Sequence, residues 1–267
     1  MEIKKVLIAN RGEIAIRIFR ACVEIGIKTV GIYTYEDRYS LHRYKADESY
    51  QIGENNEPLK PYLDIDLIIQ VALDNGVDAI HPGYGFLSEN ATFAQKCADN
   101  GLIFVGPKVS VLKALGDKIT AKTVAVQNNI PIIRSSEAAL DTIEIALDEA
   151  QKIGYPLMLK AASGGGGRGM RVIRTEEELI KGFPEARRES ANAFGDDTVF
   201  LEKFVENPKH IEIQIVADHH GNMVHLYERD CSVQRRYQKV IEFAPSLGLD
   251  QETKDALYHY ALTICKA

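Results

Sequence analysis

Cysteine is scarce in this chain, and long apolar runs and an excess of positive charge are missing. The four cysteines, Cys22, Cys97, Cys231 and Cys265, lie far apart and form no C-x-x-C pair. Cys22, Cys97 and Cys265 fall in helical patterns and read as packing residues rather than ligands, so the cytoplasm is the expected compartment. No apolar run approaches the ~18 residues of a membrane span, and no membrane partner is expected. The first residues, MEIKKVLIANRGE, carry neither an h-region nor a small-residue cleavage site, and a secretory signal is not expected. Lysine and arginine number 32 against 38 acidic residues, a net charge of −6. That balance points away from nucleic acid and leaves any anion binding to local basic groups. Internal repeats are missing too. The 267 residues give room for about two domains at roughly 100–200 residues each.

Glycine, by contrast, is concentrated. Residues 156–173 read PLMLKAASGGGGRGMRVI, an apolar strand ending in Lys160, a glycine tip, then a second apolar strand from Met170. Gly164, Gly165, Gly166, Gly167 and Gly169 leave the tip without Cβ atoms, so backbone N–H groups can close on a phosphate chain. Lys160 precedes the tip and Arg168 lies inside it, both placed to meet the same anion. Gly164, Gly166 and Gly169 fit G-x-G-x-x-G, but a dinucleotide fingerprint needs a helix to open directly from the loop, and Met170–Ile173 reads as a strand. A Walker loop needs lysine where Met170 stands, and a kinase loop needs valine where Arg171 stands. A strand–loop–strand hairpin laid over a nucleotide remains. A merely flexible hairpin is the bland alternative, and four glycines are an entropically costly way to make one.

Residues 4–9 read as a buried strand, followed by a helix with Ile14, Ile18, Cys22 and Ile25 on one stripe and a second strand at 28–34. This βαβ start predicts a parallel sheet. A helix over 64–75, the strand 77–80, a helix capped by Ser88 and running to Asn100, and the strand 102–106 complete a small doubly wound α/β domain, 1–107. A helical connector is expected over 108–134. Asp141 and Glu144 have capping-box spacing, as do Thr175 and Glu178, and Pro184 is expected to interrupt or restart the second of these helices. With the strand 199–204 and the glycine hairpin they predict an α+β lid over 135–204. From 205 to 267 a mainly antiparallel section is expected. There Ile211, Ile213 and Ile215 alternate with His210, Glu212 and Gln214, so the isoleucines face a core and the polar trio shares the other face. A turn at 219–222, a strand at 223–228 and a last helix from near Asp250 follow.

HPGYGFLSEN (81–90) stands between a strand and a helix, where open α/β sheets place ligand loops. His81 there reads as a structural histidine, and Glu89 as a first-turn acid about as readily as a catalytic one. GDK (116–118) opens a helix, and Lys118 is placed to reach an anion or to be an ordinary surface lysine. The run ERDCSVQRRYQKVIE (228–242) would usually be a solvated face. Since it follows a polar-faced strand, Arg229, Gln234, Arg235, Arg236 and Lys239 are candidates to line a cleft for anions. Cys231 has no His–Asp relay near it in sequence and reads as an inert thiol.

Together these segments resemble the biotin carboxylases, members of the ATP-grasp ligases. The matching pieces are KVLIANRGEIAIRIFRA, ADES-x-x-IG, HPGYGFLSEN, FVGP, GDK, GYPLMLKAASGGGGRGMRV, EKFVENPKHIEIQ, ERDCSVQRR-x-QK and APS, in family order from residue 4 to about 246. The segment EDRYSLHRYKADESYQIG looks more like the pyruvate carboxylase version than that of the acetyl-CoA enzymes. The resemblance implies that ATP phosphorylates bicarbonate to carboxyphosphate and that the carboxyl group passes to biotin on a carrier domain. By the same match Lys118 and Lys160 meet the phosphates under the loop Gly164–Met170, and Glu202, Lys203 and Val205 hold the adenine. His210 and Gln234 approach ribose and phosphates, Lys239 contacts bicarbonate as the catalytic residue, and Tyr84 and Gly85 receive the biotin ring. Tyr237 departs from the histidine common at that place, which removes a group that titrates near neutral pH. The family's Mg2+-binding carboxylates match positions beyond residue 267, so the resemblance implies an N-terminal fragment that does not turn over alone. It also implies a homo-oligomer for the full-length protein. An acyl-CoA carboxylase, another ATP-grasp ligase and a non-catalytic nucleotide-binding or dimerising module stay open as alternatives.

Overall fold

A computed structural model describes residues 2–116, 118–136, 140–162, 170–218, 220–235 and 238–267, without the side chains of residues 118, 119 and 194. They form two compact units, Met1–Ala121 and Lys122–Ala267.

The first unit alternates strands and helices. In chain order it runs β1 (Lys5–Ile8), α1 (Gly12–Glu24), β2 (Lys28–Tyr33), α2 (Leu41–Lys45), β3 (Glu48–Gln51), a 3-10 turn at Lys60–Leu63, α3 (Ile65–Asp74), β4 (Ala79–His81), α4 (Ala91–Asp99), β5 (Ile103–Phe104), α5 (Val109–Gly116) and the start of α6 (Lys118–Gln127). The five strands are parallel in the order β3-β2-β1-β4-β5, so the doubly wound expectation holds. Period-two alternation places the side chains of β1 on both faces. Leu7 and Ala9 join a core with Ile68, Ile69 and Phe93, whereas Val6 and Ile8 pack with Ala15, Ile18 and Phe19 of α1.

Three sequence expectations shift here. Ile25 leaves the apolar stripe of α1: it is the residue after the helix and is 71% exposed. Asn90, not Ser88, caps α4, its side chain accepting from Phe93 N at 2.9 Å. Segment 41–51 carries α2 and β3, which the sequence did not announce. ESYQ is four residues of a sheet edge with little apolar alternation, too short for periodicity to register.

In the second unit β6 (Leu157–Ala161), β7 (Met170–Ile173) and β8 (Val199–Lys203) form an antiparallel sheet in the order β7-β6-β8. Helices α7 (Ile143–Ile153) and α8 (Glu176–Phe194) share a core with it, among them Ala146, Ala150, Leu157, Leu159, Leu179, Phe183 and Leu201. Thr142, rather than Asp141, caps α7, accepting from Ile145 N at 3.4 Å. Thr175 caps α8 as expected, but α8 runs through Pro184. The lost N–H bond there is outweighed by burial of Leu179, Phe183 and Ala186 around it.

The second sheet of this unit is β11-β10-β9, antiparallel, from β9 (Ile211–Ala217), β10 (Met223–Arg235) and β11 (Gln238–Phe243), with α9 (Gln251–Lys266) packed on β9 and β10. Within the charged run 228–242, residues 228–235 form the second half of β10 and residues 238–242 lie in β11, whose residues are all exposed. The charges of this run hid the strands because they pair across the sheet. Between His225 and Glu228 the register of β10 shifts, and Tyr227 takes a left-handed φ of +63°.

Candidate functional site

Lys160 is the last residue but one of β6 and Glu202 lies on the neighbouring β8, two residues along the register from Phe200, the partner of Lys160. The Lys160 ammonium binds the Glu202 carboxylate, which also accepts from Lys122 Nζ at 3.1 Å. Lys122 donates in addition to Ser135 Oγ at 3.0 Å and lies 5.4 Å from the Phe200 ring centre. Burial alone would raise the Glu202 pKa, but its bonds to Lys160 and then Lys122 outweigh burial and lower it. Lys203 turns to the other side of β8, where Nζ donates to the carbonyls of Gly154 (2.8 Å) and Tyr155 (2.7 Å). Val205, just past β8, is half exposed. Met170 opens β7 directly opposite Lys160. Gly164–Gly169 with Arg168, the side chain of Lys118, and Arg236 and Tyr237 lie outside the described residues.

The polar trio of β9 does share one face with β10 and β11. Register pairs Glu212 with Arg229 and Gln234 with Lys239. Glu212 accepts from Arg229 Nε at 2.9 Å and binds the Lys239 ammonium with its other oxygen. Arg229 also donates to Gln214 Oε1 at 3.0 Å and stands 3.6 Å from Glu242. Burial pushes the Glu212 pKa up, yet Lys239 and Arg229 prevail and hold it at about 2. Gln234 Nε2 lies 2.8 Å from His210 Nδ1 and donates to the Cys231 carbonyl at 3.0 Å. Thus His210, Gln234 and Lys239 meet on one sheet face with Glu212 and Arg229 between them. Arg235 ends β10 without entering that set of bonds.

Cys231 is fully buried, and burial first, then the Glu212 charge, raises its thiol pKa, as suits an inert thiol. Its sulfur and the carboxylates of Glu212 and Glu242 lie within 4.8 Å of one another. This set does not fit Mg2+: one donor is sulfur, and Lys239 and Arg229 already occupy the carboxylates.

In the first unit, Tyr84 and Gly85 lie in the loop after β4. Tyr84 is 61% exposed and its hydroxyl binds Glu13 at the start of α1. His81 is structural: its Nδ1 accepts from Gly83 N at 3.1 Å, and burial lowers its pKa. Glu89 is exposed, and α4 is capped by its neighbour Asn90.

Sequence reasoning missed Lys122, whose signal was its place one helical turn after Lys118. It also passed over Glu212 as merely polar, although a carboxylate facing a run of arginines and lysine is the natural bridge between them.

A model of the biotin carboxylase N-terminal domain matches residues 2–112, and one of the carbamoyl-phosphate synthase L chain ATP binding domain matches residues 117–267. Pyruvate carboxylase of Bacillus subtilis (strain 168) is 53% identical over 264 residues, 99% of this chain but 23% of that protein. The biotin carboxylase domain dimer of Hydrogenobacter thermophilus 2-oxoglutarate carboxylase, in complex with MgADP, ADP and bicarbonate, is 47% identical with a TM-score of 0.91, over 100% of this chain and 58% of that one. Biotin carboxylase of Campylobacter jejuni in its β-γ-ATP complex is 46% identical with a TM-score of 0.92, over 99% and 59%. Fold and matches together define an ATP-grasp protein. The chain belongs to the biotin carboxylase family. It spans about a quarter of the length of the pyruvate carboxylase it resembles, 23%.

Proposed function

We propose that this chain carries much of the biotin carboxylase centre of a biotin-dependent carboxylase, in which ATP activates bicarbonate and the carboxyl group is transferred to biotin. The observation that carries the reading is the face of β9–β11, where one carboxylate, Glu212, spans Arg229 and Lys239 beside the His210–Gln234 pair. Two cations held at the span of an O–C–O group suit a second planar oxyanion, and bicarbonate is one. The solved relatives bound to MgADP and bicarbonate support the same substrates.

In this reading Lys160, with Lys118 and the loop Gly164–Gly169 including Arg168, neutralises the triphosphate. Phosphoryl transfer depends on such positioned charge more than on covalent chemistry. Glu202, Lys203, Val205 and Met170 border the nucleotide, the first three at the adenine. His210 and Gln234 orient ribose and phosphate, and Lys239 holds bicarbonate for attack on the γ-phosphorus. Tyr84 and Gly85 receive the biotin ring, brought by a carrier domain. We assign pyruvate as the final acceptor on the 53% identity to a pyruvate carboxylase. We also assign a homodimer on the dimeric relative, and the cytoplasm on four free cysteines. Among the described residues no helix is long and apolar enough to cross a membrane.

The test is phosphate release from ATP by the full-length protein with bicarbonate and biotin supplied or withheld, followed by acceptor competition among pyruvate, 2-oxoglutarate and acetyl-CoA. Release that requires both bicarbonate and biotin, with carboxylation of pyruvate alone, is expected. Release indifferent to bicarbonate contradicts the centre, and carboxylation of another acceptor contradicts the choice of pyruvate.

A further inference from the structure

We propose that Asn10 is a positioning residue: it sets the loop 82–86 in the shape that receives biotin. The proposal rests on the function put forward above.

The strand order β3-β2-β1-β4-β5 puts the topological switch point between β1 and β4. Open α/β sheets bind ligands in the crevice at that point. Here the crevice is bridged by one side chain. Asn10, two residues past β1, donates Nδ2 to the carbonyls of Pro82 and Tyr84, both at 2.8 Å, while its Oδ1 accepts from Arg11 N at 2.8 Å. Both amide hydrogens and the carbonyl oxygen are in use, and the residue is 4% exposed. A Cβ on Gly83 would fall 2.7 Å from Asn10 Nδ2, so the loop closes on the amide as tightly as glycine allows.

The loop needs such an anchor. Gly83 and Gly85 have φ of +66° and Phe86 has φ of +38°, three left-handed residues within four positions. A non-glycine residue in such a conformation is strained and persists only where its surroundings over-determine it. The far end of the loop is fixed by stacking of Phe86 on Tyr62, with ring centres 5.2 Å apart and planes at 2°. Tyr62 in turn donates to Asp37 Oδ2 at 2.8 Å, the oxygen that Arg11 Nη1 also reaches at 2.8 Å. Asn10 and Arg11, adjacent in sequence, thus secure opposite ends of the loop. Left outward are the Tyr84 ring and the Gly85 backbone. A flat, uncharged ureido ring suits that surface, since it stacks on a phenol and exchanges hydrogen bonds with a backbone bare of Cβ.

Aspartate at position 10 would face two carbonyl oxygens without a hydrogen to offer, and alanine would leave both without a partner. The experiment takes full-length protein carrying Asn10→Ala, Asn10→Asp, Gly83→Ala or Asn10→Ala with Gly83→Ala. Free biotin is the varied substrate, ATP affinity is measured by calorimetry, and amide exchange is followed across residues 81–87. Asn10→Ala and Asn10→Asp should each raise the biotin KM about tenfold or more while ATP affinity stays within about twofold. Exchange in 82–86 should quicken while β1 and β4 stay protected. Gly83→Ala should be more harmful alone than in the Asn10→Ala background, where its Cβ no longer meets the amide. A biotin KM unchanged in Asn10→Ala overturns the proposal, as do parallel losses for biotin and ATP, or unaltered exchange in the loop. Wild-type protein with no biotin-dependent turnover refutes the function itself and the ligand assigned to the loop, and the exchange arm then still decides whether Asn10 holds it.

Discussion

Glu202 and Glu212 each stand between two cations, and the two pairs differ in what else the cations hold. Among the described residues Lys160 has Glu202 as its partner, whereas Lys122 divides its donors between Glu202 and Ser135 and lies over Phe200. A cation with fewer other commitments turns more readily to an arriving phosphate. Lys160→Ala should therefore weaken ATP binding about tenfold, and Lys122→Ala about threefold or less. Calorimetric titration of the two variants decides the ranking, and a larger loss for Lys122→Ala would contradict it. At this scale the sequence was readable in placement, with Lys160 near the end of an apolar strand and His210 on the polar side of an alternating one, whereas Gln234 was read only as part of a charged run. Lys122 offered only its spacing from Lys118 and Asn10 offered nothing, because a lysine in a helix and an asparagine after a strand have ordinary surface roles until partners distant in sequence are placed beside them.

The docking of α9 on its sheet turns on Glu228 of β10. Its side chain is 1% exposed, pairs with Lys254 Nζ at 2.8 Å and accepts from the Tyr258 hydroxyl. Tyr258 also stacks on His225, with ring centres 4.1 Å apart. Burial would raise the Glu228 pKa, but Lys254 and then Tyr258 hold it at about 2, below the ordinary 4.5. A carboxylate with a lowered folded pKa stabilises fully above its unfolded value and loses that contribution as pH falls through the folded one. The window thus runs from 4.5 down to about 2. Glu228→Gln should cost about 2–3 kcal/mol at neutral pH, since it leaves Lys254 facing a neutral amide. It should also flatten the acid limb, though not abolish it, because Glu212 titrates in the same window. Urea unfolding of wild type and variant across the acid range measures both, and parallel acid limbs would contradict the assignment.

The elements were legible in proportion to their periodicity. The βαβ start and the alternating β9 announced themselves through residues such as Ile18 and Ile213. The first half of β10 was legible as the strand 223–228, but its second half and β11 were not, because Arg229, Gln234 and Lys239 are polar residues whose partners across the sheet lie far away in sequence. Caps were misplaced by one or two residues, at Thr142 and Asn90, where neighbouring polar side chains compete for the same backbone N–H groups.

Over the whole molecule, each unit is built around its own cores and its own candidate residues. The first, Met1–Ala121, carries the Tyr84 loop, and the second, Lys122–Ala267, carries the ion-paired strands. With biotin proposed for the former and ATP with bicarbonate for the latter, substitutions should separate cleanly by substrate. The most direct measurement is the bicarbonate dependence of ATP cleavage by full-length protein carrying Lys239→Ala, with ATP binding followed in parallel. The expected result is that kcat/KM for bicarbonate falls about a hundredfold while ATP affinity stays within about twofold. A variant that binds ATP and keeps wild-type bicarbonate kinetics would contradict it.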